Sequence, residues 1–212
     1  MDVVSATLSF AAVAGLLTIV PGLDTALVLR TALAQGPRAA FATALGISTG
    51  ALVWGAGAAV GVAAVLTASE VAYTVLKVGG ALYLVWLGAR LLRDAFRRPK
   101  TAEALPTAPP ERPGGVGRSW RRGVLTNLAN PKIAAFYVAV LPQFIPPGAS
   151  PLGMGLLLAL VHDLEGLLWF SALIFGAARL RTLLRRPAVE RAVDATTGTV
   201  LIGFGVKLGL SH

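Results

Sequence analysis

Apolar residues run along the chain in long unbroken blocks, and six of these approach or exceed the roughly 20 residues a helix needs to cross a bilayer core. They lie at about 8–30, 40–66, 71–92, 124–145, 152–178 and 195–211. The first, second and fifth are clear. The third carries Lys77, the fourth contains the triplet Asn130-Pro131-Lys132, and the sixth is short and rich in glycine, which softens their boundaries. A bilayer offers the backbone no hydrogen-bond partner, so such blocks must be helices, and they lack the two-residue alternation of a β-barrel. The expectation is an all-α integral membrane protein with six transmembrane helices.

Composition agrees. Of 212 residues 55% are hydrophobic and 14% charged, and the mean hydropathy is +0.72, well outside the range of a soluble domain. The net charge of +9 would suit a nucleic-acid binder, but a solvated basic domain would not spend half its length on aliphatic residues. The charge is explained by position: sixteen of the 19 Lys and Arg residues border the first, third and fifth connections, while "TASE" at 67–70 and "PPGAS" at 146–150 carry none. By the positive-inside rule the basic connections are cytoplasmic and both termini lie outside. Residues 97–118, rich in Pro, Gly and Ala, read as a cytoplasmic linker between a first three-helix unit, 1–96, and a second, 119–212. Cysteine is absent, and the two histidines, His162 and His212, cannot assemble a zinc site. No basic region or cleavage pattern marks a removable signal peptide, so the first block is expected to remain as a span.

Three spans per half is an odd number, so a duplication would place the halves in opposite orientations. The sequence carries matching features. Pro21 is followed about 15 residues later by Gly36-Pro37, and Pro131 about 15 residues later by Pro146-Pro147. The third block closes "LGAR" and the sixth "FGVK". Each proline interrupts a span beside an ionisable residue, Asp24 in one case and Lys132 in the other. Proline removes a backbone donor and breaks the helical ladder, and a helix that restarts there presents free N–H groups and the positive end of its dipole. Asn130 suits the N-cap and Pro131 the first helical position; with Lys132 added, the second break attracts a carboxylate. At the first, Asp24 falls in the opening turn after Pro21, and Gly22 permits close approach. The rival reading is a structural ion pair between Asp24 and Lys132, but charges inside spans are costly enough to favour function.

These residues resemble the LysE/RhtB family of bacterial amino-acid exporters. The likeness rests on "PGLD" in the first span, "QGPRAAFATALGISTG" at 35–50, "LKVGGALYLVWLGARLLR" at 76–93 and "GVLTNLANPKIAAFYVAVLPQFI" at 123–145. The family usually has a second proline where this chain has Leu23. The resemblance implies export of amino acids or close derivatives across the bacterial cytoplasmic membrane, driven by proton antiport or another coupling ion, without a cofactor. The partners implied are a small amino acid, the coupling ion and lipid, with no nucleic acid; homodimerisation is left open. A zwitterion needs two partners. Asn130, Pro131 and Lys132 are expected to hold its carboxylate, while Asp24, with Pro21 and Gly22, holds its ammonium or exchanges a proton.

Further along, His162, Asp163 and Glu165 stand mid-span in the fifth block; His162 and Glu165, three apart, share a helix face. They read as a proton path or a local structural network, with Lys77 as a candidate partner. Gly46, Gly50, Gly57 and Gly61 form two GxxxG pairs, read as internal packing. Tyr83, Trp86, Phe136, Tyr137 and Trp169 read as interface anchors or packing, and Trp120 as an interfacial anchor. An intramembrane enzyme would need His162 with Asp163, Glu165 or Ser171, and no nucleophile or metal constellation completes it. A structural or signalling protein would have no need for charges at two matched breaks.

Overall fold

A computed structural model describes residues 2–20, 22–97, 115–176 and 187–210, and every regular element among them is helical. Helix α1 (Val3–Ile19) starts on Asp2, whose carboxylate accepts hydrogen bonds from the Ser5 amide and hydroxyl, both at 2.9 Å. It is followed by α2 (Leu23–Gln35), α3 (Pro37–Ala68) and α4 (Glu70–Arg97). The second set is α5 (Val116–Leu128), α6 (Pro131–Ala139), a 3-10 turn (Leu141–Phe144), α7 (Pro151–Phe175) and α8 (Pro187–Leu210). Helices α1 and α2 meet at 55°, and α5 meets α6 with its 3-10 extension at 58°. The two breaks thus fall where proline chemistry places them.

Among the described residues, Pro37–Gly61 and Pro151–Phe175 are each able by length and composition to cross a membrane alone, and up to four spans result when each bent pair is taken as one. Large apolar side chains such as Val4, Leu8, Val53, Leu125, Leu164 and Leu168 are exposed on helix after helix, a surface that lipid accepts and water does not. The helices outrun the apolar blocks. The first bent pair fills 3–35 rather than 8–30, α5 begins at Val116 rather than near 124, and α8 at Pro187 rather than near 195. Hydropathy marks only the embedded part of a helix; the opening turns of α5 carry Arg118, Arg121 and Arg122 and remain helical where arginine can be solvated. Of the expected linker at 97–118, residues 98–114 lie outside the described residues.

Helix α3 packs against α2, α5 and α7, while α4 packs chiefly on α8 and α1 on α7. Glycine sets these distances. A Cβ on Gly46 would run into the Trp120 carbonyl and one on Gly123 into the Thr43 carbonyl, so α3 and α5 touch backbone to backbone. Gly55 and Gly155 do the same for α3 and α7, a Cβ on either standing 2.9 or 2.7 Å from the other's carbonyl oxygen; Gly88 and Gly198 do so for α4 and α8 at 2.5 and 2.7 Å. Lipid removes the hydrophobic drive between helices, and close contact of this kind replaces it.

Internal packing therefore holds for Gly46 and Gly50 but not for Gly57 and Gly61, where a Cβ would meet nothing within 4 Å. Small residues at this spacing make a flat face; whether a neighbour fills it depends on which way the helix is turned. Phe136 and Tyr137 are buried with Phe10, Phe144 and Leu158 in the larger core and are packing residues. Trp86 is half exposed, with the Arg90 guanidinium 5.6 Å from its ring centre. Trp120 is also partly exposed and donates to Thr49 Oγ1 at 3.2 Å.

Candidate functional site

In a continuous helix the carbonyl of residue 17 accepts from the N–H of residue 21. Residue 21 is proline and has none. Pro21 itself lies outside the described residues, but its effect is visible on either side. Leu17 O and Val20 O, at the negative end of α1, accept hydrogen bonds from Lys132 Nζ, each at 3.3 Å. Gly22 caps α2 in an extended conformation, φ −148°, and its bare Cα leaves room for the lysine: a Cβ there would stand 3.2 Å from Nζ.

The second break is built as its sequence suggests. Asn130 is the N-cap of α6, its Oδ1 accepting from the Lys132 amide at 3.1 Å, and Pro131 takes the first helical position. The carbonyl orphaned by Pro131, that of Asn127, is satisfied locally by the Asn130 amide at 3.0 Å.

Asp24, only 8% exposed, enters from the first turn of α2 and takes a hydrogen bond from α5, from Asn127 Nδ2 to its Oδ2 at 3.0 Å. Gly50 on α3 permits this, since a Cβ at that position would come within 2.7 Å of Asn127 Oδ1. Three buried polar atoms at the junction have no partner: Asp24 Oδ1, Asn127 Oδ1 and Asn130 Nδ2. Buried groups of this kind are nearly always satisfied; the Asn130 amide neighbours the Asp24 carboxylate without closing on it, which leaves room for a polar guest. The lysine gives its hydrogen bonds to α1 carbonyls and the aspartate takes its own from an amide, so the two charges share the junction without a direct hydrogen bond.

Around this junction lies a small pocket that is partly open at its mouth. Its polar wall comprises Thr18, Gly22, Asp24, Thr25, Ser48, Asn127, Lys132, His162 and Asp163, and its apolar wall Leu17, Ile47, Ala51, Ile133 and Phe170. The structure thus brings His162 and Asp163 to Asp24 and Lys132. His162 is buried, with Nδ1 3.1 Å from the Tyr137 hydroxyl and its ring against Phe136. Asp163 has the Ser48 hydroxyl as a neighbour. Glu165 is not in the wall. It leans on α1, with Oε1 3.5 Å from where a Cβ on Gly15 would be, and its Oε2 is buried without a partner. Lys77 belongs to α4, but its side chain lies outside the described residues.

Sequence reasoning missed Asn127, Ser48 and Thr25. Only Asn127 stood near a feature the sequence marks, just ahead of the break, and a short polar residue there is inconspicuous. Ser171 donates to Leu167 O at 2.6 Å within its own helix, as hydroxyls commonly do in such helices. Among the described residues no group of three or more His, Asp or Glu is placed to hold a metal ion.

A profile described as LysE type translocator matches residues 15–212. The chain is 33% identical over 194 residues to the threonine efflux protein of Escherichia coli (strain K12), covering 91% of each chain. It is 31% identical over 201 residues to the leucine efflux protein of Enterobacter sp. (strain 638), covering 92% of this chain and 91% of that one. An uncharacterized membrane protein of Bacillus subtilis (strain 168) is 30% identical over 209 residues, covering 96% and 98%. No solved structure matches the chain.

Proposed function

Because this chain belongs to the LysE type translocator family, and so is a transporter rather than an enzyme, we propose that it exports amino acids or close derivatives from the cytoplasm in exchange for protons. The observation that carries this reading is the pocket in which an unpartnered carboxylate oxygen of Asp24 and the ammonium of Lys132 stand at two paired helix breaks. A zwitterion is uncharged overall but needs opposite partners at its two ends. Asn130 Nδ2, the N-terminus of α6 at Pro131, and Lys132 offer donors to a carboxylate; Asp24, beside Pro21 and Gly22, offers an acceptor to an ammonium. Ile47, Ile133 and Phe170 line the same pocket and suit a small or aliphatic side chain, in keeping with relatives named for threonine and leucine efflux.

His162 and Asp163, sharing the pocket with Asp24, form the proton route, with Glu165 and Lys77 as its further candidates. The six-span, two-half architecture, with units 1–96 and 119–212 joined by a cytoplasmic linker, is part of the same proposal, as are a bacterial cytoplasmic membrane location and termini outside. Its support is the pair of breaks, which bend α1 against α2 by 55° and α5 against α6 with its 3-10 extension by 58°, as paired discontinuous helices do in carriers built from inverted halves.

The test is flux. Proteoliposomes loaded with a panel of labelled amino acids should release at least one of them when a pH gradient is imposed, at a rate absent from empty liposomes. Failure across a broad panel, with protein shown to be inserted and folded, removes the exporter reading.

A further inference from the structure

The two breaks differ in how they dispose of the carbonyl that proline orphans. At the second, Asn127 O is satisfied by the local backbone through Asn130 N–H at 3.0 Å. At the first, Leu17 O is satisfied by a side chain from the other half, Lys132 Nζ, which also holds Val20 O. Two carbonyl oxygens at the negative end of a helix, with the buried and unpartnered Oδ1 of Asp24 lining the same pocket, are the acceptor set that a primary ammonium with three N–H groups requires. The lysine head is such an ammonium, and Gly22, where a Cβ would stand 3.2 Å from Nζ, leaves it room.

We propose that the break between α1 and α2 is the subsite for the substrate's α-ammonium, and that Lys132 fills it as a tethered competitor while the carrier is empty. This rests on the amino-acid reading above and adds a step to it. An arriving amino acid displaces Nζ from Leu17 O and Val20 O. The freed lysine head, anchored one residue beyond Pro131, then meets the substrate carboxylate. When the substrate leaves, Nζ returns, so the carbonyls and Asp24 never stand buried without a cation, a state that is costly in an apolar surrounding.

The experiment measures binding of leucine and threonine, of their methyl esters, which keep only the ammonium, and of their N-acetyl derivatives, which keep only the carboxylate. It uses the full chain in lipid nanodiscs, as wild type, Lys132→Met and Lys132→Gln. Removal of the competitor should tighten the esters in Lys132→Met by about tenfold or more, the weight of a charge-assisted hydrogen bond, while N-acetyl derivatives and free amino acids weaken. Lys132→Gln, whose amide still reaches the carbonyls, should shift in the same directions by less and guards against a folding failure of the methionine variant. Esters that bind the variants no tighter than wild type, while wild type binds a free amino acid, overturn the tethered competitor alone. A folded wild type that binds neither amino acid overturns the amino-acid reading and the subsite with it.

Discussion

Asn127 joins α5 to Asp24 of α2, and its position depends on a hydrogen atom. Gly50 has no Cβ; given one, it would press within 2.7 Å of Asn127 Oδ1 and 2.9 Å of its Cβ, forcing the amide away from Asp24. A buried carboxylate that loses its donor costs about 1–3 kcal/mol, so Gly50→Ala should lower the melting temperature of the purified protein by several degrees. Gly57→Ala, on the same helix with nothing within 4 Å, should melt as wild type, and equal behaviour of the two would contradict this account of Asn127. At this scale the sequence showed the charges and the Asn130 cap but not Asn127. Asp24 and Lys132 are legible because any charge in an apolar run is conspicuous. Asn127 and Ser48 are not, since short polar residues pass unnoticed in helices of alanine, leucine and glycine. Glu165 was drawn to His162 by its spacing, but three residues along a helix leave about 60° of rotation between them, enough to aim one at the pocket and the other at α1.

Helix breaks were the most legible elements, because proline acts through a covalent fact, the missing N–H, that no tertiary context can restore. The cap at the second break followed from the same reasoning and is formed, with Asn130 Oδ1 on the Lys132 amide at 3.1 Å. Asn130→Ala should therefore cost about 1 kcal/mol, the usual worth of an N-cap, whereas Asn130→Ser should restore most of it; matched thermal melts of the two variants check this. Helix ends were less legible. The starts of α5 and α8 precede their apolar blocks because helix geometry persists into the layer where arginine is solvated, and hydropathy does not record it. Glycine spacing foretold close contact on α3 but not its direction: Gly46 and Gly50 face α5, and Gly57 and Gly61 face outward.

For the whole molecule, the arginine asymmetry and the absence of cysteine supply both a topology and a means of checking it. A single cysteine at Asp2, Ser69 or Pro147 should react with a membrane-impermeant maleimide in intact cells, while one at Arg118 should react only after the membrane is opened; the reverse pattern would invert the proposed orientation. The two bent helix pairs were legible from the prolines at 21 and 131, since a missing N–H leaves its mark in the sequence. The contact between Gly22 and Lys132 was not, because nothing in a linear pattern says that a side chain from one break lies in the other. The central claim is that Asp24, held between α2, α3 and α5, is the carboxylate through which export runs. Inside-out vesicles carrying Asp24→Asn test it most directly: wild-type vesicles should accumulate labelled threonine or leucine under an imposed pH gradient, and the variant, present in the membrane at equal amount, should show background uptake. Accumulation by Asp24→Asn at the wild-type rate would contradict the account.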